Sequence, residues 1–229
     1  LLLISQSIFA QQKRSLTHAD YDGWESLSSD KITKNGAFVG YQISPQQGDG
    51  RVEIFSFKTP SQKQLISRGT GFQFTVDDAY AIGKIVAQKD SVYALKLKKK
   101  KADDLPKDSL FILQLATGKL EKIARVKSFA TPREKGSWIA IHFEKEVAPK
   151  ESPKEQSSSD STKKVEKPKK TDATKLLVRS LDGTKKWELD RVKSFSFAPN
   201  GDFLYYLLAE EEKQDNAALH LLDLTSGEQ

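Results

Sequence analysis

Three histidines are the residues of this chain best suited to acid–base or metal chemistry, because imidazole titrates near neutral pH and is a common metal ligand. His18, His142 and His220 lie far apart in the sequence, and none belongs to a short histidine motif that binds metal. We place His18 in a short helix, His142 in a strand and His220 in the last strand. We therefore interpret all three as structural residues.

Hydrolysis by a serine nucleophile needs a serine on a strained turn, commonly in Gly-x-Ser-x-Gly, with a histidine base and an acidic partner. No Gly-x-Ser-x-Gly occurs in the chain. Cysteine is absent, which excludes a cysteine nucleophile, disulfides and zinc–thiolate sites. The residues present contain no recognisable nucleophile with its base.

Paired acidic residues and a glycine-rich stretch are the remaining candidates for a catalytic or ligand-binding site. We interpret Asp77-Asp78 as turn residues and Asp103-Asp104 as charge balance for neighbouring lysines. Gly48-Asp49-Gly50 reads as a turn and not as a phosphate cradle, because no helix or Gly-Lys-Ser/Thr follows. The sequence therefore predicts no catalytic residue, no cofactor site and no metal ligand.

The pentapeptide Arg-Val-Lys-Ser-Phe occurs at Arg125–Phe129 and again at Arg191–Phe195. The residues before it repeat at the same offset, from Leu110 and from Leu176. Self-similarity at a fixed spacing is typical of stacked or radial arrays of equivalent units. Because the unit reads as short strands separated by turns, the sequence predicts β-propeller blades.

The predicted fold is all-β, a partial and incomplete β-propeller with a short N-terminal helical segment over residues 15–29 and disordered insertions. An Asn35-Gly36 turn, a strand at Val52–Phe57 and a turn at Thr59-Pro60-Ser61 begin the pattern. Strand openings at Val52, Leu110, Leu176 and Leu219 indicate three to four blades begun. The blade-core candidates are aromatic: Phe129, Trp138, Phe195, Phe197 and Phe203.

Residues 144–175 are rich in Lys, Glu, Pro and Ser and almost lack aliphatic side chains, so we predict a disordered insertion. A domain boundary there is rejected, because Ile139–Phe143 and Leu176–Val178 fit as consecutive strands. Residues 95–109 predict a smaller protruding loop. Residues 13–229 are thus taken as one partial propeller domain.

The net charge of +6 lies mainly in the two insertions, so it says little about partners. No basic patch interleaved with aromatic residues accompanies the lysines, and we expect no nucleic-acid binding.

Residues 1–12 predict the remnant of a signal peptide, with an apolar run over Leu1–Ala10 and cleavage after Ala10. An edge strand or buried arm is the alternative. The chain lacks methionine even at position 1 and stops soon after a blade opening at Leu219, so we expect a fragment of a periplasmic or secreted protein. No later stretch predicts a membrane span.

Several stretches resemble secreted bacterial serine peptidases of the prolyl oligopeptidase family. They are Leu16-Thr17-His18 with Tyr21 and Trp24, Ile32–Tyr41, Pro45–Gly50, Lys98–Leu110, and Leu115–Lys119 leading to Arg125–Phe129. The likeness covers residues 13–229. It implies an N-terminal propeller joined in cis to an α/β-hydrolase domain with a Ser-Asp-His triad, none of whose residues maps onto this sequence.

Two functions follow as hypotheses. The first is the non-catalytic, substrate-gating propeller segment of such a peptidase, which would meet peptide substrates only through the parent enzyme. The alternative is a stand-alone periplasmic propeller, similar to TolB-type modules, that scaffolds protein partners. A weaker idea makes residues 144–175 a partner-binding tail. No cofactor is expected in any of these cases.

Overall fold

The computed structural model describes residues 15–145, 173–209 and 219–229, which form an almost entirely β structure. Its helices are α1 (His18–Asp22), α2 (Lys89–Leu97) and a 3-10 turn at Ala102–Asp104. The strands, in chain order, are β1 (Glu25–Ile32), β2 (Phe38–Pro45), β3 (Arg51–Ser56), β4 (Thr59–Ser67), β5 (Gly69–Phe74), β6 (Tyr80–Ile85), β7 (Ser109–Gln114), β8 (Leu120–Ile123), β9 (Val126–Ala130), β10 (Trp138–Phe143), β11 (Thr174–Ser180), β12 (Lys186–Phe197), β13 (Phe203–Leu208) and β14 (Leu219–Asp223).

The strands form antiparallel blades in chain order. Blade 1 is β1–β4 and blade 2 is β5–β8. A six-stranded sheet contains the next two blades, because the long strand β12 pairs with β11 through its first half and with β13 through its second. Blade 3 is therefore β9, β10, β11 and the start of β12, and blade 4 is the rest of β12 with β13 and β14. The prediction of an all-β, partial propeller is confirmed.

The hydrophobic cores lie between blades, and this explains why some strands are apolar at every position. Leu110, Phe111, Ile112 and Leu113 of β7 are all buried. Because side chains alternate across a strand, Phe111 and Leu113 face blade 1 while Leu110 and Ile112 face blade 3. A third core, between blades 3 and 4, gathers Ala140, Val178, Leu204 and Leu222.

The described residues leave the outer sheet faces of the first and last blades uncovered, and large apolar side chains are exposed at both. Every residue of β1 is exposed, including Leu27 at 61% and Ile32 at 59%. At the other end of the stack, Leu219 of β14 is 68% exposed.

The structure reveals a third copy of the repeated motif. Arg68, Arg125 and Arg191 each join the fourth strand of one blade to the first strand of the next, and Phe72, Phe129 and Phe195 follow four residues later. All three arginines have left-handed backbone, with φ of 60°, 60° and 59°. The sequence repeat thus spans the junction between blades and is offset from the blade itself.

Each of these arginines forms hydrogen bonds with the backbone at the end of the second strand of the blade that follows it. The Arg125 carbonyl accepts the Glu144 N–H, and its guanidinium Nη2 donates to the Lys145 carbonyl. Arg68 binds the N–H and carbonyl of Val86 in the same way, and Arg191 those of Ala209. In blade 1, Trp24 takes the equivalent place and its carbonyl accepts the Gln46 N–H.

We expect Arg125→Asn to lower the free energy of unfolding by about 1 kcal/mol, because it removes a charge-assisted hydrogen bond from a half-buried site. Asparagine tolerates left-handed backbone, so the loss reports the guanidinium and not strain. Urea unfolding measures it, with Arg133→Asn in an exposed loop as the control. Equal stability of the two variants would contradict this role.

Two local predictions were wrong, and a third, the protruding loop over residues 95–109, is correct only from Lys98 to Asp108. The helix predicted over residues 15–29 ends at Asp22, and Glu25–Ile32 is strand β1, because pairing with β2 outweighs local helical preference. The turn predicted at Thr59-Pro60-Ser61 is the start of β4. Pro60 is accommodated there because β4 is an edge strand. The protruding segment 95–109 begins in the last turn of helix α2, which was not predicted.

The expectation that β10 and β11 are consecutive strands across the long insertion is confirmed by their direct pairing. Strand β11 begins at Thr174, inside the predicted insertion 144–175. Residues 146–172, and the predicted signal remnant over residues 1–12, lie outside the described residues.

Candidate functional site

The connections between strands fall into two groups, one at each end of the strands. Because the strands alternate in direction, the second-to-third connections and the blade junctions share one end, which we call the insertion end. It comprises residues 46–50, 86–108, 144–145 and 209 with the three junction arginines. Repeat proteins often bind partners with the face that carries their insertions, so this end is the candidate functional surface.

Helix α2 is anchored to the insertion end at its N-terminus. The Lys89 N–H donates to Asp49 Oδ1 at 3.0 Å, which ties the helix to the short connection of blade 1. The Ala87 N–H donates to Asp108 Oδ1 at 3.3 Å, which closes the base of the long connection. The predicted Gly48–Gly50 turn therefore supports a helix of the next blade.

A cleft of about 620 Å³ opens at the insertion end beside blade 3. Its charged lining is mixed in sign, and includes Arg125, Lys145, Lys175, Glu144, Glu188 and Asp190. Lys175 pairs with Glu188, and this bond lowers the pKa of the Glu188 carboxyl. Among the described residues that line the cleft there is no histidine, serine or cysteine.

At the opposite end, which we call the turn end, Asp77 and Asp78 join three blades. Asp78 accepts the Lys34 and Asn35 N–H groups of blade 1 at 2.9 and 2.8 Å. Asp77 accepts hydrogen bonds from Thr75 and from Ser137 of blade 3. Burial opposes ionisation of Asp77, but these hydrogen bonds outweigh it and lower its pKa. The predicted turn residues also connect neighbouring blades.

A charged cluster lies on the uncovered face of blade 1. Glu53, although buried, accepts hydrogen bonds from Arg51 Nε at 2.8 Å, Tyr41 Oη at 2.9 Å and Lys63 Nζ at 3.1 Å. Chiefly because of the Arg51 bond, the pKa of Glu53 falls to about 2. Arg51 also binds Glu25, so the cluster spans all four strands of blade 1 and both of its acids are paired.

The three histidines lie apart and have different surroundings. His18 is exposed in α1, and His220 of β14 stacks on Tyr206 with ring centroids 5.2 Å apart. His142 of β10 is buried, and its Nε2–H donates to the Val192 carbonyl at 3.0 Å. This bond joins blade 3 to blade 4, which agrees with a structural role.

Stability should fall as the pH drops below about 6.5, because burial lowers the pKa of His142 from that value in the folded state. As the pH falls below 6.5, the unfolded chain binds a proton on His142 before the folded chain does, and this favours unfolding. The contribution of neutral His142 to the free energy of unfolding is therefore complete only above pH 6.5. It is lost by up to about 1.4 kcal/mol per pH unit as the pH falls toward the folded pKa. His142→Gln keeps a donor for Val192 and should remove this slope in urea unfolding, whereas His18→Gln should retain it. Identical slopes for wild type and His142→Gln would contradict the prediction.

Within the described ranges, no group of three or more His, Cys, Asp or Glu side chains could hold a metal ion. Asp103 and Asp104 lie in the 3-10 turn after the lysine run. In that same part of the chain, no helix is long and apolar enough to cross a membrane.

The sequence matches no protein-family model and no curated protein. Among solved structures, the chain is similar to an acylaminoacyl peptidase of Pyrococcus horikoshii, with a TM-score of 0.46, 12% identity, 91% of this chain and 32% of that one covered. The β-propeller domain of the trilobed protease from Pyrococcus furiosus gives 0.45, 12%, 86% and 53%. A eukaryotic initiation factor gives 0.49, 11%, 86% and 40%. This chain thus spans about a third of the length of the Pyrococcus horikoshii enzyme, and similarity at this level does not assign a function.

Proposed function

We propose that this chain is a non-catalytic propeller segment of a serine peptidase of the prolyl oligopeptidase type, where it restricts access to the active site and selects peptide-sized substrates. An α/β-hydrolase domain in cis would carry the catalytic triad. Peptides would be handled by that parent enzyme, in a periplasmic or secreted location as residues 1–12 suggest.

The proposal rests on where the family-like stretches lie: from Ile32 onward, each forms part of a blade or of the connection between two strands or blades. Lys98–Leu110 forms the end of the long connection in blade 2 and leads into β7. Leu115–Phe129 forms the next turn, β8 and β9, and so crosses from blade 2 to blade 3. The resemblance requires a blade array at these residues, and the strands supply one.

A part of an enzyme that restricts access to the active site must be rigid. The blades meet this need because apolar cores hold neighbouring blades together. Each blade shares a closed apolar core with the next, and Asp77 and Asp78 tie three blades at the turn end. In the proposed enzyme, this array of blades would limit access to the active site by shape and would need no catalytic residue of its own.

The alternative, a stand-alone scaffold for protein partners, is favoured by apolar side chains of blades 1 and 4, such as Leu27 and Leu219, that are exposed among the described residues. The two functions predict different continuations of the reading frame after Gln229. A Gly-x-Ser-x-Gly followed by later Asp and His residues supports the peptidase. A stop codon directly after the last blade would reject it and support the scaffold.

Activity assays provide the biochemical test. The purified 229-residue chain should neither turn over fluorogenic peptides nor react with a fluorophosphonate that labels catalytic serines. The protein made from the whole frame should do both, and should cleave short peptides in preference to long unfolded polypeptides. Clear turnover by the purified chain, or equal cleavage of short and long substrates by the whole protein, would reject the gating role.

A further inference from the structure

Helix α2 presents an apolar pair to solvent at the insertion end. Its inner side is half-buried through Ser91, Val92 and Leu95. Tyr93 and Leu97, one helical turn apart, are 65% and 66% exposed. Two such neighbouring side chains on the outside of an anchored helix form an unpartnered face among the described residues.

A net positive charge surrounds the end of the same helix, where five lysines precede Asp103 and Asp104. Five of the six residues 96–101 are lysine, and all five are exposed. Left-handed backbone at Lys99, with φ of 52°, turns the chain back so that the Lys100 N–H reaches the Leu95 carbonyl at 3.1 Å. The lysine run therefore bends around the C-terminal end of the helix instead of extending away from it.

We propose that this projection, Tyr93 and Leu97 with Lys96 and Lys98–Lys101, docks the protein on an anionic phospholipid bilayer. Tyrosine and leucine suit the boundary between headgroups and acyl chains, where one end of the tyrosine stays hydrated. The lysines meet the negative headgroups, each strengthening attraction about fivefold. Binding is peripheral and reversible, because only two apolar side chains enter the bilayer.

The arrangement of charge favours a lipid surface over an acidic protein. The five lysines are consecutive but for Leu97 and are all exposed, and mobile anionic headgroups can contact them in any arrangement. Headgroups diffuse laterally and can gather around any arrangement of cations. The N-terminal anchor of α2 on Asp49 holds the helix at the insertion end, with Tyr93 and Leu97 exposed to solvent.

The test is co-sedimentation of the purified chain with vesicles of phosphatidylcholine containing about one third phosphatidylglycerol, and with phosphatidylcholine alone. We expect binding to the anionic vesicles only, and its loss at high ionic strength. The fourfold variant Lys98→Gln, Lys99→Gln, Lys100→Gln, Lys101→Gln should lose affinity by at least about a hundredfold. Tyr93→Ser with Leu97→Ser should lose about tenfold. Circular dichroism checks that each variant is folded.

A matched variant separates the site from overall charge. Lys34, Lys58, Lys119 and Lys135, all exposed at the turn end, are changed together to glutamine. This variant has the same net charge as the fourfold helix-tip variant, and it should bind within about threefold of wild type. Failure of wild type to bind anionic vesicles, or an equal loss in the turn-end variant, would overturn the proposal. So would binding to soluble poly-glutamate as tight as binding to the vesicles, which would point to an acidic protein.

Discussion

Replacing Phe111 with alanine is expected to lower the free energy of unfolding by about 3–5 kcal/mol. Phe111 is fully buried in β7 and contributes to the core between blades 1 and 2. Truncation removes a large apolar surface from this core and leaves a cavity between two sheets. Flanking strands on both sides limit how far the cavity can collapse.

The ring fits there because of the residue opposite. Gly83 of β6 pairs directly with Phe111, and a Cβ on Gly83 would lie 2.7 Å from the ring and 2.9 Å from the Phe72 Cα. The Phe111 ring therefore occupies the space that a side chain on Gly83 would take. Because Gly83 has no side chain, it cannot fill the cavity that Phe111→Ala would leave. Urea unfolding gives the measurement, and Phe57→Ala, at a site 53% exposed, is the control with an expected loss under about 1 kcal/mol. Similar losses for both variants would show that the blade interface is not a close-packed core.

Replacing Gly201 with alanine is expected to lower the free energy of unfolding by about 3–4 kcal/mol. Gly201 has left-handed backbone with φ of 74°, which costs any other ordinary residue free energy. An added Cβ would also lie 2.1 Å from the Lys135 carbonyl oxygen, a backbone atom that cannot move alone. The substitution would push the turn of blade 4 away from the loop of blade 3.

Gly183 provides a matched control for this prediction. Its φ of 80° is also left-handed, but a Cβ there would meet nothing within 4 Å. Gly183→Ala should therefore cost only the backbone strain, about 1 kcal/mol. The difference between the two variants in chemical denaturation measures the contact between blades 3 and 4. Equal losses would mean that the 131–137 loop moves aside freely, contrary to the Glu134 N–H bond to the Pro199 carbonyl.

The positions of strands and turns could be predicted where the local sequence determines them. The Asn35-Gly36 turn, the strands near Val52, Leu110 and Leu176, and the pairing of β10 with β11 all follow from the order of apolar and turn residues. Strand β1 could not be predicted, because it is entirely exposed and carries no buried pattern. Its conformation comes from pairing with β2, a partner whose residues lie farther along the chain.

The candidate site was harder to predict than the fold. The lysine run was visible in the sequence, but helix α2 and its exposed Tyr93 and Leu97 were not. A third copy of the junction motif at Arg68–Phe72 was missed because only arginine and phenylalanine are shared with the other two. Its signal was the recurrence of arginine four residues before a phenylalanine at a junction between strands.

By itself, the sequence determined the strand-rich architecture, the positions of most turns and the repeat, because each depends on neighbouring residues and on the alternation of side chains. Only the tertiary structure decided that Arg68, Arg125 and Arg191 are equivalent, and that Asp77 and Asp78 join three blades. It also decided that the longest connections and the lysine-rich helix share one end of the stack. These facts depend on contacts between residues far apart in the chain, which local periodicity does not encode.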